Sequence, residues 1–133
     1  MGKTLVQAQI GRDHYKVVLQ AGKHTIIGDE PTADGGSDEG MNPHEILVAA
    51  LGACTCATLR MYADRKEWPV EGVQVTLTLT HDEEKSATNI TRKIELTGQL
   101  TDEQKDRLLA IANKCPIHKT LTNPIHIDTT LAG

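Results

Sequence analysis

Phenylalanine is absent from the sequence, and Trp68, Tyr15 and Tyr62 are its only aromatic residues. A single-stranded nucleic-acid binder needs π-faces on which bases can stack, and this chain has almost none. Excess basic charge is missing too: 14 Lys and Arg stand against 18 Asp and Glu, for a net charge of -4. Duplex affinity rests on phosphate neutralisation, so this balance argues against double-stranded partners as well. The first residues, Met1-Gly-Lys-Thr-Leu-Val, contain no apolar stretch with a small-residue cleavage site. Val6 stands where a myristoylation signal needs Ser or Thr. The longest apolar run, Ile46 to Ala53, is far short of a bilayer span. The expectation is a cytoplasmic protein with neither nucleic-acid nor membrane partners. Cysteine is scarce and odd in number: Cys54, Cys56 and Cys115 do not suit a structural disulfide framework. There is no phosphate-binding glycine loop, no Gly-x-Ser-x-Gly elbow and no Cys-x-x-Cys pair. His44-Glu45 opens like a zinc-peptidase motif, but Val48 occupies the place of the second histidine.

What is present is enough for one domain. The chain has 133 residues, of which 38% are hydrophobic and 24% charged, a balance that can bury a core without disulfides or metals. The expectation is a single domain over residues 1–133. Leu5 to Ile10 alternates weakly. Tyr15, Val17 and Leu19 alternate cleanly, and His24 to Ile27 follows a turn at Ala21-Gly22-Lys23. Residues 28–40, rich in Gly, Asp and Glu, have no periodicity and read as a mobile, solvated acidic loop. Asn42-Pro43-His44-Glu45 has the cap, the first-turn proline and the acid of a helix start. Ile46, Leu47, Ala50, Leu51, Cys54, Thr58 and Met61 form its expected apolar stripe, and Trp68-Pro69 ends it. Val73 to Leu79 and Ile90 to Leu96 read as two strands. Thr101-Asp-Glu-Gln104 is a capping box opening a second helix, which Pro116 interrupts and can restart as a short turn. Ile125, Ile127, Thr129 and Leu131 alternate as a last strand. The expected order is β-β-β-α-β-β-α-β, an α+β fold with a long central helix.

The chemistry centres on the thiols. On one intact helix Cys54 and Cys56 lie about 200° apart, so they cannot bridge. Cys115 is the better partner for Cys54. It precedes Pro116 at an expected helix start, where free amide N–H groups favour a thiolate. Two other readings stand beside this one. Cys54 can be a small buried hydrophobe, and Cys54, Cys115 and His118 could supply three ligands to a metal. Cys56 reads as structural.

Asn-Pro-His-Glu-Ile-Leu-Val-Ala-Ala-Leu-Gly-Ala-Cys54 and Lys-Cys115-Pro-Ile-His-Lys resemble the two cysteine motifs of the OsmC/Ohr superfamily, the osmotically inducible and organic hydroperoxide resistance proteins. Thr58 to Trp68 looks more like the OsmC-like branch. The resemblance implies an OsmC-like fold whose antiparallel sheets are completed in a homodimer. It also implies a thiol peroxidase that reduces organic hydroperoxides and needs no bound cofactor. Cys54 would be oxidised to a sulfenic acid and Cys115 would resolve it as a disulfide. A lipoyl- or thioredoxin-type dithiol would then reduce the pair. The arginine and glutamate of the family site match Arg12 and Glu45, although ungapped alignment from Cys54 puts His44 at the glutamate position. Leu47, Leu51 and Met61 are the expected apolar lining for the alkyl group. A non-peroxidase that binds a small apolar metabolite and a redox sensor without turnover are the competing readings, and His44 favours them. The central helix also carries Val48, Ala49, Leu59 and Ala63 away from the Leu47–Cys54–Met61 line. That breadth of apolar surface independently suggests cover from a second copy.

Overall fold

The computed structural model describes residues 2–133. It divides into two compact units, Met1–Leu47 and Val48–Gly133. The class is α+β, with antiparallel sheets and a long helix, as the hydrophobic periodicity predicts.

The first unit is a three-stranded antiparallel meander of β1 (Gln7–Gln9), β2 (Val17–Ala21) and β3 (His24–Gly28), in that spatial order. Leu19 pairs with Ala8 on one side and Ile26 on the other. Gly22 takes a φ of +60° in the two-residue turn joining β2 to β3, a conformation that glycine adopts without steric cost. The strand expected over Leu5 to Ile10 shrinks to three exposed residues. The acidic segment after β3 is more ordered than its composition suggests. Asp29 is buried, and its carboxylate accepts N–H groups from Tyr15 at 3.1 Å, Glu30 at 2.7 Å and Glu39 at 3.1 Å. One carboxylate thus gathers both ends of a loop that also contains a single 3-10 turn at Thr32–Asp34. A Cβ on Gly36 would collide with the Glu30 backbone, so the loop closes only around glycine there.

Helix α1 (Pro43–Lys66) starts in the first unit with a reciprocal cap. Asn42 Oδ1 accepts from the Glu45 N–H, and Glu45 Oε1 accepts from the Asn42 N–H, both at 2.9 Å. It stops where Glu67 turns to a φ of +57° and the Trp68 N–H returns to the Ala63 carbonyl. The helix is long and apolar enough to cross a membrane, with 24 residues and a mean hydropathy of 1.6 over its most apolar stretch. One row of it contributes to the core of the second unit. The buried row is Leu51, Thr55, Leu59 and Ala63, an i, i+4 series, rather than the Leu47–Cys54–Met61 line. Met61 is 64% exposed and Leu47 is 44% exposed, so the expected stripe is only partly the inner face. Leu59 and Ala63 are covered within the chain and therefore say nothing about a second copy.

In the second unit, α1 packs with β4 (Gly72–Asp82), β5 (Ala87–Thr97), α2 (Asp102–Ala112) and α3 (Pro116–Thr122). β4 and β5 form one long antiparallel ladder, from Gly72 opposite Thr97 to Asp82 opposite Ala87. Gly52 lets helix and sheet approach, since a Cβ there would sit 2.9 Å from Leu77 Cδ1. The core gathers Leu59, Ala63, Val70, Leu108, Ile111 and Ala112. Thr101 and Gln104 form the expected capping box of α2. After α3 the chain departs from expectation. Residues 124–133 form no strand, and Ile125, Ile127 and Leu131 are 60%, 83% and 96% exposed. Their alternation suits a strand, but a strand exists only when another lends its hydrogen bonds, and none of the described residues does. The observed order is β-β-β-α-β-β-α-α.

Candidate active site

Three elements of the second unit bring chemistry together. Cys54 lies half-buried on α1, and Cys115 is the fully buried N-cap of α3. Pro116 forces the chain out of α2 and opens α3, so the Cys115 Sγ points at free amides. It accepts the His118 N–H at 3.4 Å. The Cys54 Sγ lies 4.0 Å from Thr58 Oγ1, and the Cys115 thiol and the Ile117 N–H are near enough to act on its charge. Cys56 turns to the other side, with its sulfur 3.9 Å from the Val73 carbonyl oxygen.

The two thiols are not equivalent. Burial pushes Cys54 up, but the Cys115 thiol, the Ile117 N–H, the Thr58 hydroxyl and the Arg92 charge outweigh it. Its pKa falls below the ordinary thiol value. Burial also pushes Cys115 up, and the neighbouring Cys54 sulfur adds to this. The His118 and Ile117 N–H groups do not compensate, so its pKa is raised. The sequence expectation that amides at the helix start would favour a thiolate at Cys115 is therefore not met. At Cys115 desolvation wins over a few amide dipoles.

Arg92 is the residue that the sequence reading passed over. It occupies an inward position on β5, between Ile90 and Ile94, where alternation calls for an apolar side chain. Its Nη1 donates to Thr55 Oγ1 at 3.1 Å. Its Nη2 donates to Asn113 Oδ1 at 2.8 Å and lies 3.3 Å from His118 Nδ1. The Thr55 hydroxyl, wholly buried, donates in turn to the Leu51 carbonyl at 2.7 Å. No carboxylate of the described residues forms an ion pair with this guanidinium. It borders a cavity of about 260 Å³ lined by Leu51, Ile90, Leu121, His118 and two threonines. The sequence signal was a charge at an inward register position.

The other expected site residues lie in different settings. Arg12 is exposed in the bend after β1, and Glu45 is engaged in capping Asn42; both belong to the first unit. Leu51 is buried and borders the Arg92 cavity. Leu47 and Met61 are exposed, so the three do not form one enclosed lining.

The family model described as OsmC-like protein matches residues 35–130, a span that includes Cys54, Arg92 and Cys115 but not Arg12. No curated protein matches the sequence. Among solved structures, an OsmC-like protein from Mycoplasma pneumoniae has a TM-score of 0.77 at 19% identity, covering 90% of this chain and 87% of its own. The organic hydroperoxide resistance protein OsmC from Legionella pneumophila has a TM-score of 0.66 at 22% identity, covering 92% and 90%. The organic hydroperoxide resistance protein OhrB of Bacillus subtilis has a TM-score of 0.63 at 22% identity, covering 91% of each chain. At these identities the likeness is one of fold. With the family model spanning most of the chain, and both cysteine motifs inside it, the protein belongs to the OsmC-like family.

Proposed function

We propose that the protein is a cytoplasmic, thiol-dependent peroxidase that reduces organic hydroperoxides. The observation that carries this reading is the placement of two free thiols, Cys54 on α1 and Cys115 at the buried start of α3, in settings that lower the pKa of the first and raise that of the second. The Cys54 thiolate attacks the terminal oxygen of ROOH. The O–O bond breaks, the alkoxide leaves and takes a proton, and Cys54 becomes a sulfenic acid. Cys115 then attacks the Cys54 sulfur. The S–O bond breaks, the Cys115 proton leaves with hydroxide as water, and a Cys54–Cys115 disulfide remains. An external dithiol of the lipoyl or thioredoxin type reduces it. Apolar walls reward an alkyl tail by about 25 cal/mol per Å² buried, which favours organic hydroperoxides over hydrogen peroxide. Leu51 is the member of the expected lining that suits this role in the single chain. Leu47 and Met61 take part only in an assembly that covers them.

The working form in this reading is a homodimer. The large exposed residues Val6, Ile26, Met61 and Ile127 support it, because such surface is unusual on a stable monomer.

The test is peroxide consumption with a lipoyl or thioredoxin reductant. Wild type should turn over, Cys54→Ser should not, and Cys115→Ser should stop after one turnover with a trappable sulfenic acid on Cys54. Cys56→Ala should stay within a few-fold of wild type. Peptide mapping after mild oxidation should recover a Cys54–Cys115 link. Failure of wild type to consume any of several alkyl hydroperoxides would overturn the peroxidase reading in favour of a redox sensor or an apolar-metabolite binder.

A further inference from the structure

We propose that Arg92 is the positioning residue of the thiol site: its one guanidinium ties the helix bearing Cys54 to the junction bearing Cys115. The proposal rests on the reading of Cys54 and Cys115 as a redox pair. It assigns the role to a residue that is neither a cysteine nor the arginine matched to the family pattern.

The geometry is that of a three-way clamp. Thr55, which accepts from Nη1, directly follows Cys54 on α1. Asn113, which accepts from Nη2, is the C-cap of α2, two residues before Cys115. His118, against the same nitrogen, lies in the first turn of α3 and gives its backbone N–H to the Cys115 sulfur. The strand, both helices of the α2–α3 junction and α1 therefore meet on one planar group. The Thr55 hydroxyl spends its proton on the Leu51 carbonyl, so what it offers Arg92 is an acceptor. A lysine is a point charge on a flexible stem and cannot reproduce a fork with two fixed arms.

The three partners are a hydroxyl, an amide and an imidazole nitrogen, and no carboxylate of the described residues offsets the guanidinium. The clamp thus holds a positive charge at the thiol site without neutralising it. Arg92 is among the groups that lower the Cys54 pKa. Shape and charge are separable roles of the same side chain: the fork sets the distance between the sulfurs, and the charge favours the thiolate.

The test uses two measurements on the intact protein, neither of which involves peroxide. The first is the pH–rate profile of Cys54 alkylation by iodoacetamide. The second is the equilibrium with glutathione, in which the protein dithiol and glutathione disulfide exchange to protein disulfide and two glutathione thiols. Arg92→Lys and Asn113→Ala should keep an alkylation midpoint close to wild type and lose about tenfold in the disulfide equilibrium, because charge remains while the fork is broken. Arg92→Met should lose both, with about tenfold less thiolate at pH 7. The exposed Arg60, paired with Asp64 on α1, provides the control Arg60→Met. If Arg92→Met does not fold by circular dichroism, the other two variants decide. A disulfide equilibrium in Arg92→Lys and Asn113→Ala equal to that of Arg60→Met overturns the proposal. Lack of peroxide turnover by wild type would sink the peroxidase reading and leave these measurements valid.

Discussion

The two units of the chain handle an inward-facing charge in opposite ways. In the first, Asp29 is 2% exposed, and its carboxylate is taken up by backbone N–H groups from Tyr15, Glu30 and Glu39. The charge is fully spent on folding a loop. In the second, Arg92 is held by a hydroxyl, an amide and an imidazole, and its charge stays available to a thiol. A charge ringed by backbone dipoles is architecture, whereas one fixed by neutral side chains beside a nucleophile can serve chemistry. The buried apolar core lies in the second unit, although both units carry exposed apolar residues. The second unit closes a core in which Leu59, Ala63, Leu108 and Ala112 are 0% exposed. The first leaves Leu5, Val6 and Ile26 more than half exposed.

The sharpest way to break this contrast is in the closed core. Leu108→Ala should cost about 2–5 kcal/mol, measured by urea denaturation, because it deletes a fully enclosed side chain. A loss below about 1 kcal/mol would mean that the second unit is looser than its packing implies. The next effect concerns the open surface of the first unit. If a second copy covers it, the denaturation midpoint should rise with protein concentration, and light scattering at micromolar concentration should report a dimer. Ile26→Asp should then remove the concentration dependence. A well-folded wild-type monomer with a fixed midpoint would leave the exposed residues of β1, β3 and the C-terminal segment without a partner.

Much of the fold was legible because its signals are local. Asn42 with Glu45, Thr101 with Gln104, and Cys115 before Pro116 each specify a helix start within four residues, and all three form. Period-two alternation found β2, β4 and β5, and the turn at Ala21-Gly22-Lys23 placed β3. What failed depends on distant partners. The pattern of Ile125 to Leu131 is a strand pattern, but pairing is decided elsewhere in space. The inner face of α1 follows the i, i+4 row Leu51, Thr55, Leu59 and Ala63, whereas heptad spacing from Cys54 selected Leu47 and Met61. The acidic loop gave no periodic signal, because its order comes from one carboxylate and not from a repeat. At the site, both motif cysteines could be found by spacing. Arg92 was hidden because a reading that follows apolar residues along β5 steps over the charge between Ile90 and Ile94. The thiolate expected at Cys115 failed for a related reason: the helix start there is visible in the sequence, and its complete burial is not.

The smallest effect should be confined to the Asp29 loop and should depend on pH. Its carboxyl lies below the ordinary value chiefly because of the Glu39 N–H. Burial opposes this, and the Tyr15, Glu30 and Ser37 N–H groups reinforce it. A carboxyl depressed in the folded state contributes stability above its unfolded pKa, about 3.9, and loses it as pH falls through the folded value. Amide exchange at Gly36 to Glu39 should therefore be protected at neutral pH and become fast, beyond the intrinsic change in exchange rate, only below the usual carboxylate range. Asp29→Asn keeps a single carbonyl acceptor for N–H groups that now use both oxygens, so the loop should exchange faster at neutral pH. The acid-dependent step should vanish in that variant. The second unit should be insensitive to the substitution, because the hydrogen-bond partners of Asp29 all lie in the first. Equal protection of wild type and Asp29→Asn across the whole range would show that the loop is held by its glycine turns and not by the carboxylate.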